Sequence, residues 1–236
     1  MNLNVNPNSK QLEEIKFWLI EEYEKFNQGF YCNWNVIESA FNRKQFFSFE
    51  IKRQIIGFIS WTAYSNPYVV IDTMEIHPNF RKKGFGKILY QKAENYFRQQ
   101  NYIAIQLFCS PKESEKFWKK MKFTKFPETG YSEPELSYYK PLIEINKPIN
   151  KEANNKLELW DLEPYEIKEQ KPKWTWEIKE NQKPILQPYN ANWNLRLTLN
   201  GKIEKENKVK YFSPKREIEI GPFLFIEKHY CRIDKS

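Results

Sequence analysis

The residues best suited to chemistry lie between Ile71 and Tyr90. The run reads Ile71-Asp72-Thr73-Met74-Glu75-Ile76-His77-Pro78, then Asn79-Phe80-Arg81-Lys82-Lys83-Gly84-Phe85-Gly86-Lys87. A strand pattern ends at His77-Pro78, a short basic loop follows, and Gly84 and Gly86 open a helical pattern. The first N–H groups of a helix lack intrahelical acceptors and sit at the positive end of its dipole, so this junction is an anion site. Glycine removes the Cβ atoms that would hold a phosphate off that backbone. Arg81, Lys82, Lys83 and Lys87 add the charge that a polyanion wants. The same run carries two carboxylates, Asp72 and Glu75, and a carboxylate beside bound reactants can act as a general base. His77 precedes Pro78, where a histidine is usually inert.

These groups need elements to position them. The spacing of Leu12, Ile15, Leu19, Tyr23 and Phe26 predicts a helix from Asn8-Ser9 to about Phe26, and Trp34–Asn42 reads as a second, shorter one. Phe46–Lys52 and Ile55–Tyr64 read as strands about an Arg53-Gln54 turn, Asn66-Pro67 breaks the chain, and Tyr68–His77 is a third strand. A helix to about Gln100, a strand Tyr102–Cys109, a helix Pro111–Met121 and a closing pair, Phe123–Phe126 with Leu136–Lys140, follow. The order α-α-β-β-β-α-β-α-β-β implies a mixed sheet with helices on its faces.

The segment Pro141–Asn155 has little apolar periodicity and reads as a linker. Beyond it the period becomes two: Trp174, Trp176 and Ile178, then Trp193, Leu195, Leu197 and Leu199, then Ile218, Ile220, Phe223 and Phe225. Asn200-Gly201 is a hairpin signal, because both positions tolerate positive φ. The expected organisation is one α/β domain over residues 1–145, a linker over 146–156 and a small antiparallel β-rich domain over 157–236. One buried face in a module of this size needs a cover, which predicts packing on the first domain or on a second subunit, as in a homodimer. Trp160, Trp174, Trp176 and Trp193 are expected to be core.

Arg81-Lys82-Lys83-Gly84-Phe85-Gly86 resembles the pyrophosphate loop of the GNAT family, the Gcn5-related N-acetyltransferases, whose pattern is Q/R-x-x-G-x-G/A. Met74-Glu75-Ile76-His77-Pro78 resembles the end of that family's strand 4, and Phe117-Trp118-Lys119-Lys120-Met121-Lys122-Phe123 its late helix. The resemblance covers residues 1–145 and implies the GNAT fold, α/β of the α+β type, with a mixed, mostly antiparallel sheet. It implies acetyl-CoA as cosubstrate, no metal, and acetyl transfer to an amine of a small molecule or a protein. Acetyl-CoA is then expected between the strand ending at Ile76 and the strand Tyr102–Cys109. By the same resemblance, backbone groups of Met74, Glu75 and Ile76 align the pantetheine arm, amides from Lys82 to Lys87 hold the pyrophosphate, and Phe117 packs at the pantetheine end.

The resemblance also places a base at Asp72, with Glu75 in reserve. Glu75 points the other way in a regular strand, but the family's strand 4 usually bulges. Three departures bear on the acid. Trp118 replaces the family's usual tyrosine, and an indole N–H is no usable acid. Lys122 replaces a glycine, and the Ser110-Pro111 region lacks the usual Asn. Tyr131, Tyr138, Tyr139 or water is left to protonate the thiolate. Two other readings follow: a GNAT acting on aminoacyl-tRNA, and a catalytically silent CoA-binding or interaction protein.

Composition narrows the classes. The 236 residues carry 38 Lys+Arg against 30 Asp+Glu, net +8, and 17% aromatics, too many for a disordered chain. The excess charge is spread along the chain and interleaved with acids, as in Lys202–Lys210, which does not favour tRNA. No apolar run approaches the ~20 residues a bilayer needs, so no membrane is expected. Met1-Asn2-Leu3-Asn4 shows no secretion signal. Cys32, Cys109 and Cys231 have no metal-ligand spacing and read as reduced thiols of a cytoplasmic protein.

Overall fold

The computed structural model describes residues 1–63, 67–128, 136–213 and 215–227. Tyr131 and Cys231 lie outside these residues, as does Asn66 of the expected chain break. The chain divides into two compact units, Met1–Lys125 with Leu136–Leu142, and Phe126–Glu135 with Ile143–Ser236.

The first unit opens with a short strand, β1 (Asn2–Asn4), too brief to show alternation in the sequence. Helix α1 (Ser9–Phe26) starts where Asn8 accepts from the Gln11 N–H and Gln11 reaches back to the Asn8 backbone, a reciprocal cap. It ends at Asn27, in the left-handed conformation. Helix α2 (Trp34–Asn42) precedes β2 (Phe46–Ile51) and β3 (Gln54–Ala63). The tight turn between these strands is Lys52-Arg53, both at positive φ, one residue earlier than the sequence suggests. Then come β4 (Tyr68–Ile76), α3 (Phe85–Gln99), β5 (Ala104–Phe108), α4 (Glu115–Lys120), β6 (Thr124–Lys125) and β7 (Ser137–Pro141).

These seven strands form one sheet in the order β1-β2-β3-β4-β5-β7-β6. Only β4 and β5 run parallel, because α3 is the crossover between them. The sheet is therefore mixed, mostly antiparallel and flanked by helices. On one face, Leu89, Tyr90, Ala93 and Phe97 of α3 and Trp118 of α4 share a core with Phe47, Ile59, Ile71 and Leu107. On the other, Ile15 and Leu19 of α1 and Ile37 of α2 pack on Phe46 and Phe58.

The second unit has two antiparallel sheets. Strands β8 (Lys156–Leu159), β9 (Trp174–Glu177), β11 (Asn194–Leu199) and β12 (Lys202–Lys208) form one, in the order β12-β11-β8-β9. Strands β10 (Ile185–Pro188), β13 (Glu219–Ile220) and β14 (Phe223–Ile226) form the other, and a single turn, α5 (Val209–Phe212), follows β12. Asn200 and Gly201 take φ of 50° and 75° at the hairpin. Leu157, Trp176, Leu195 and Leu197 of the first sheet share one core with Ile185, Leu224 and Ile226 of the second.

This corrects the premise that the module needs another domain or subunit as a cover: its own second sheet covers the apolar face. Trp160, Trp176 and Trp193 are buried, and Trp174 stacks on Trp193 at 5.5 Å between ring centroids. Part of the segment expected as linker pairs with this unit, through Asn146 N–H to the Pro184 carbonyl and Ile149 N–H to the Thr175 carbonyl. Truncating Trp176, 1% exposed, is expected to cost about 3–5 kcal/mol through the cavity left behind, read as a fall in the chemical-denaturation midpoint of this unit.

Candidate active site

The site is built where β4 leaves β5. The two pair from Tyr68↔Ala104 to Ile71↔Leu107 and no further, although β4 continues to Ile76 against β3. Beyond this point β5 continues toward β7, through Cys109 N–H to the Leu136 carbonyl. The β4 backbone from Asp72 onward thus borders an opening. Antiparallel pairing decides which of its groups face that opening. His77 N–H donates to the Ile56 carbonyl, so Glu75, two residues earlier, also directs its backbone toward β3, while Met74 and Ile76 direct theirs away. A Cβ at Gly57 would lie 2.7 Å from the Glu75 carbonyl oxygen, in keeping with that direction.

Of the three residues expected to offer backbone groups, the structure leaves one so placed. Glu75 faces β3. The Ile76 N–H donates to Glu75 Oε1 at 2.9 Å, and the Ile76 carbonyl accepts from Arg81 Nε at 2.8 Å. Met74 remains, between the strand and Gly86.

A bulge sets the carboxylates. Ser60 pairs with Thr73 but Trp61 pairs with Ile71, so Asp72 is an extra residue in β4. In a regular strand Asp72 and Glu75 would take opposite faces. Here both contact the α1–α2 side. Asp72 Oδ2 accepts from Thr62 Oγ1 at 2.7 Å, which also accepts from Arg43 at the end of α2, while Glu75 pairs with Arg81, which in turn holds Glu22 of α1. Asp72 keeps solvent contact, but partial desolvation by its neighbours pushes its carboxyl up, opposed by the Thr62 hydrogen bond and the Arg43 charge. Burial likewise pushes Glu75 up to about 7, against the Arg81 charge and the Ile76 N–H, with Glu22 adding to the rise.

Arg81 departs from its expected role. Its guanidinium makes a bidentate pair with Glu22 at 2.6 and 2.7 Å, reaches Glu75 at 3.2 Å and donates to the Ile76 carbonyl. The half-buried guanidinium is committed to these partners, because Glu22 is 5% exposed and an unpaired carboxylate there would cost several kcal/mol. The charge available to a polyanion is that of exposed Lys82 and Lys87; Lys83 donates to the Asn79 carbonyl at 2.8 Å.

Gly84 is the N-cap of α3, at φ 83°, and no side chain caps the first turn, so the N–H groups of Phe85, Gly86 and Lys87 are open to an anion. Nothing lies within 4 Å of the Cβ that Gly84 lacks, and this space suits a phosphate against the backbone. A Cβ at Gly86 would meet Met74, Phe117 and Ile76 at 3.6–3.8 Å, so Gly86 lies on the floor where β4, α3 and α4 converge. Phe117 is thereby brought to the opening. Trp118 is buried against Tyr90 and Phe123.

Among the phenols, Tyr138 lies in the α3-side core and its hydroxyl donates to Glu115. Tyr139, by alternation, faces the other side, and burial pushes it up to about 12. His77 accepts from Asn79 N–H through Nδ1 and packs on Trp18; burial and the Arg81 charge hold it below the usual histidine range. Among the described residues no group of three or more His, Cys, Asp or Glu could hold a metal ion, and no helix is long and apolar enough to cross a membrane. Sequence reasoning missed Glu22, whose burial on the polar-rich α1 had no local signal.

The model of the Acetyltransferase (GNAT) family matches residues 9–123. Tetrahymena GCN5 is similar at 17% identity and a TM-score of 0.48, over 61% of this chain and 97% of that one. The PaiA N-acetyltransferase of Thermoplasma acidophilum, solved with coenzyme A, is similar at 16% identity and 0.44, over 59% and 97%. The N-acetylglutamate synthase of Neisseria gonorrhoeae, solved with coenzyme A and N-acetyl-glutamate, is similar at 11% and 0.47, over 61% and 35%. No curated protein matches this chain.

Glu75 binds its proton more tightly in the folded protein than in the unfolded chain, so it lowers stability as pH rises from about 4.5 toward 7. Glu75→Gln removes this loss. The variant is expected to gain stability relative to wild type as pH goes from 5 to 7, measured as the difference in Tm across that range.

Proposed function

We propose that the first unit binds acetyl-CoA and transfers its acetyl group to an amine of a small molecule or protein. The observation that carries this reading is the juxtaposition of the open α3 N-terminus with the parting of β4 from β5, on a segment that matches the family. In this reading the N–H groups of Phe85, Gly86 and Lys87 hold the pyrophosphate, with Lys82 and Lys87 adding charge. The Met74 backbone aligns the pantetheine arm, and a backbone donor already aimed at a thioester carbonyl stabilises charge developing there. Phe117 packs at the pantetheine end.

Asp72 is the base we favour over Glu75. It is exposed, one residue past the last β4–β5 pair, whereas Glu75 is held by Arg81 and the Ile76 N–H. Asp72, directly or through a water, takes a proton from the amine as its nitrogen bonds to the acetyl carbon and the C–S bond breaks. The departing thiolate takes a proton from water or from Tyr139. Holding both reactants at the opening supplies much of the rate. Support for a small-molecule or protein acceptor over tRNA comes from the second unit's ion pairs: Lys208 with Glu163, Arg196 with Glu206 and Arg216 with Glu219.

Two variants test this reading. Gly86→Phe fills the floor of the opening and is expected to weaken CoA binding at least 10-fold by calorimetry; unchanged affinity would reject the loop assignment. Asp72→Asn is expected to keep CoA affinity within twofold and lower kcat roughly 10²-fold, the usual size of a general-base contribution. If Glu75→Gln loses turnover instead, and wild type shows an acid limb near pH 7, the base is Glu75. No CoA release with any amine tried would leave a CoA-binding protein without transferase activity.

A further inference from the structure

We propose that Glu22 is a positioning residue that, by clamping Arg81, holds the end of β4 and the following loop in the shape that binds CoA. This rests on the reading of that loop as the pyrophosphate site, and it goes beyond it by placing part of the site's control on α1.

The geometry runs as one chain of contacts. Glu22, 5% exposed, projects from the last third of α1 and takes both terminal nitrogens of Arg81 at 2.6 and 2.7 Å. A bidentate pair of this kind fixes the plane of a guanidinium as well as its place. Arg81 then has one direction left for Nε, and it donates to the Ile76 carbonyl at 2.8 Å. That bond ties the last residue of β4 to Arg81, in the middle of the loop that delivers Gly84. The bridge spans 59 residues of sequence, so the loop's conformation depends on a helix on the opposite face of the sheet from α3.

The linker between α1 and α2 enters the same contact. Gly29, at φ 93°, lies against Glu22, and a Cβ there would stand 3.2 Å from the Glu22 carboxyl carbon. A glycine therefore lets this linker close over the carboxylate that holds Arg81. Lys82 at φ 59° and Gly84 at φ 83° bracket a loop with two left-handed residues, a conformation that costs free energy for Lys82 and needs support from its surroundings. Loss of the clamp is expected to loosen 77–84 and so to weaken binding of the pyrophosphate, with little effect on the chemical step once CoA is saturating.

The test compares wild type, Glu22→Gln, Arg81→Gln and the double variant by calorimetric titration with CoA, each first checked for cooperative unfolding. Glu22→Gln is expected to weaken CoA about 10-fold and to raise KM for acetyl-CoA by a similar factor, with kcat within twofold. The double variant is expected to bind no worse than the weaker single one, because both changes remove the same clamp. Glu22→Gln binding within twofold of wild type, or two single effects that multiply in the double variant, would overturn the proposal. If Glu22→Gln does not fold, Arg81→Lys keeps the charge but not the fork, and CoA affinity unchanged in it would overturn the proposal as well. If wild type fails to bind CoA, the loop assignment falls and this inference with it. Wild-type binding with an unaffected Glu22→Gln rejects this inference alone.

Discussion

The arrangement of the first unit depends on how far two parallel strands stay together. Strands β4 and β5 share four residue pairs and then separate, while β4 keeps its partner β3 as far as Ile76. A sheet normally satisfies both edges of a central strand. Here one edge of β4 is given up just before α3 begins, so exposed strand backbone and an uncapped helix start occur side by side. The bulge at Asp72 contributes to the separation, because an extra residue bends the strand and increases its twist. The same bulge turns Asp72 to the face that Glu75 already occupies.

Electrostatics in this region follows burial more than net charge. The motif's arginine is directed inward, where it balances a buried glutamate and a half-buried one, and the lysines around it remain for solvent or ligand. Two carboxylates around one guanidinium leave the group short of positive charge. Glu75, the less tightly paired of the two, holds its proton up to about pH 7, chiefly because it is buried, with the Glu22 charge adding to the rise. Asp72 lies in a milder setting, with a hydroxyl and a more distant arginine as neighbours.

The second unit solves a different problem with familiar means. Its strands are short and individually weak, and a single sheet of them would expose one apolar face. Two sheets share the core instead, with Trp176 between them and Trp160 anchored by its N–H to the Gln170 carbonyl under the Arg196 guanidinium. The indoles that alternate with polar residues in the sequence are structural.

Local rules made much of this legible without coordinates. The apolar spacing and Asn8 cap of α1, the Asn200-Gly201 hairpin, the order of elements and the Gly84-Phe85-Gly86 helix start all depend on neighbours within a few residues, and such interactions are written in adjacent side chains. What tertiary structure alone decided involves partners far apart. Glu22 is indistinguishable in the sequence from Glu21 and Glu24, and only the meeting of α1 with the loop after β4 selects it for Arg81. The bulge at Asp72 depends on the register with β3, the engagement of Ile76 on a side chain that folds back from Arg81, and the closure of the second unit on strands as far apart in the chain as Ile185 and Ile226. Pairing across such distances is set by which surfaces fit when the core closes, and no local pattern carries that information.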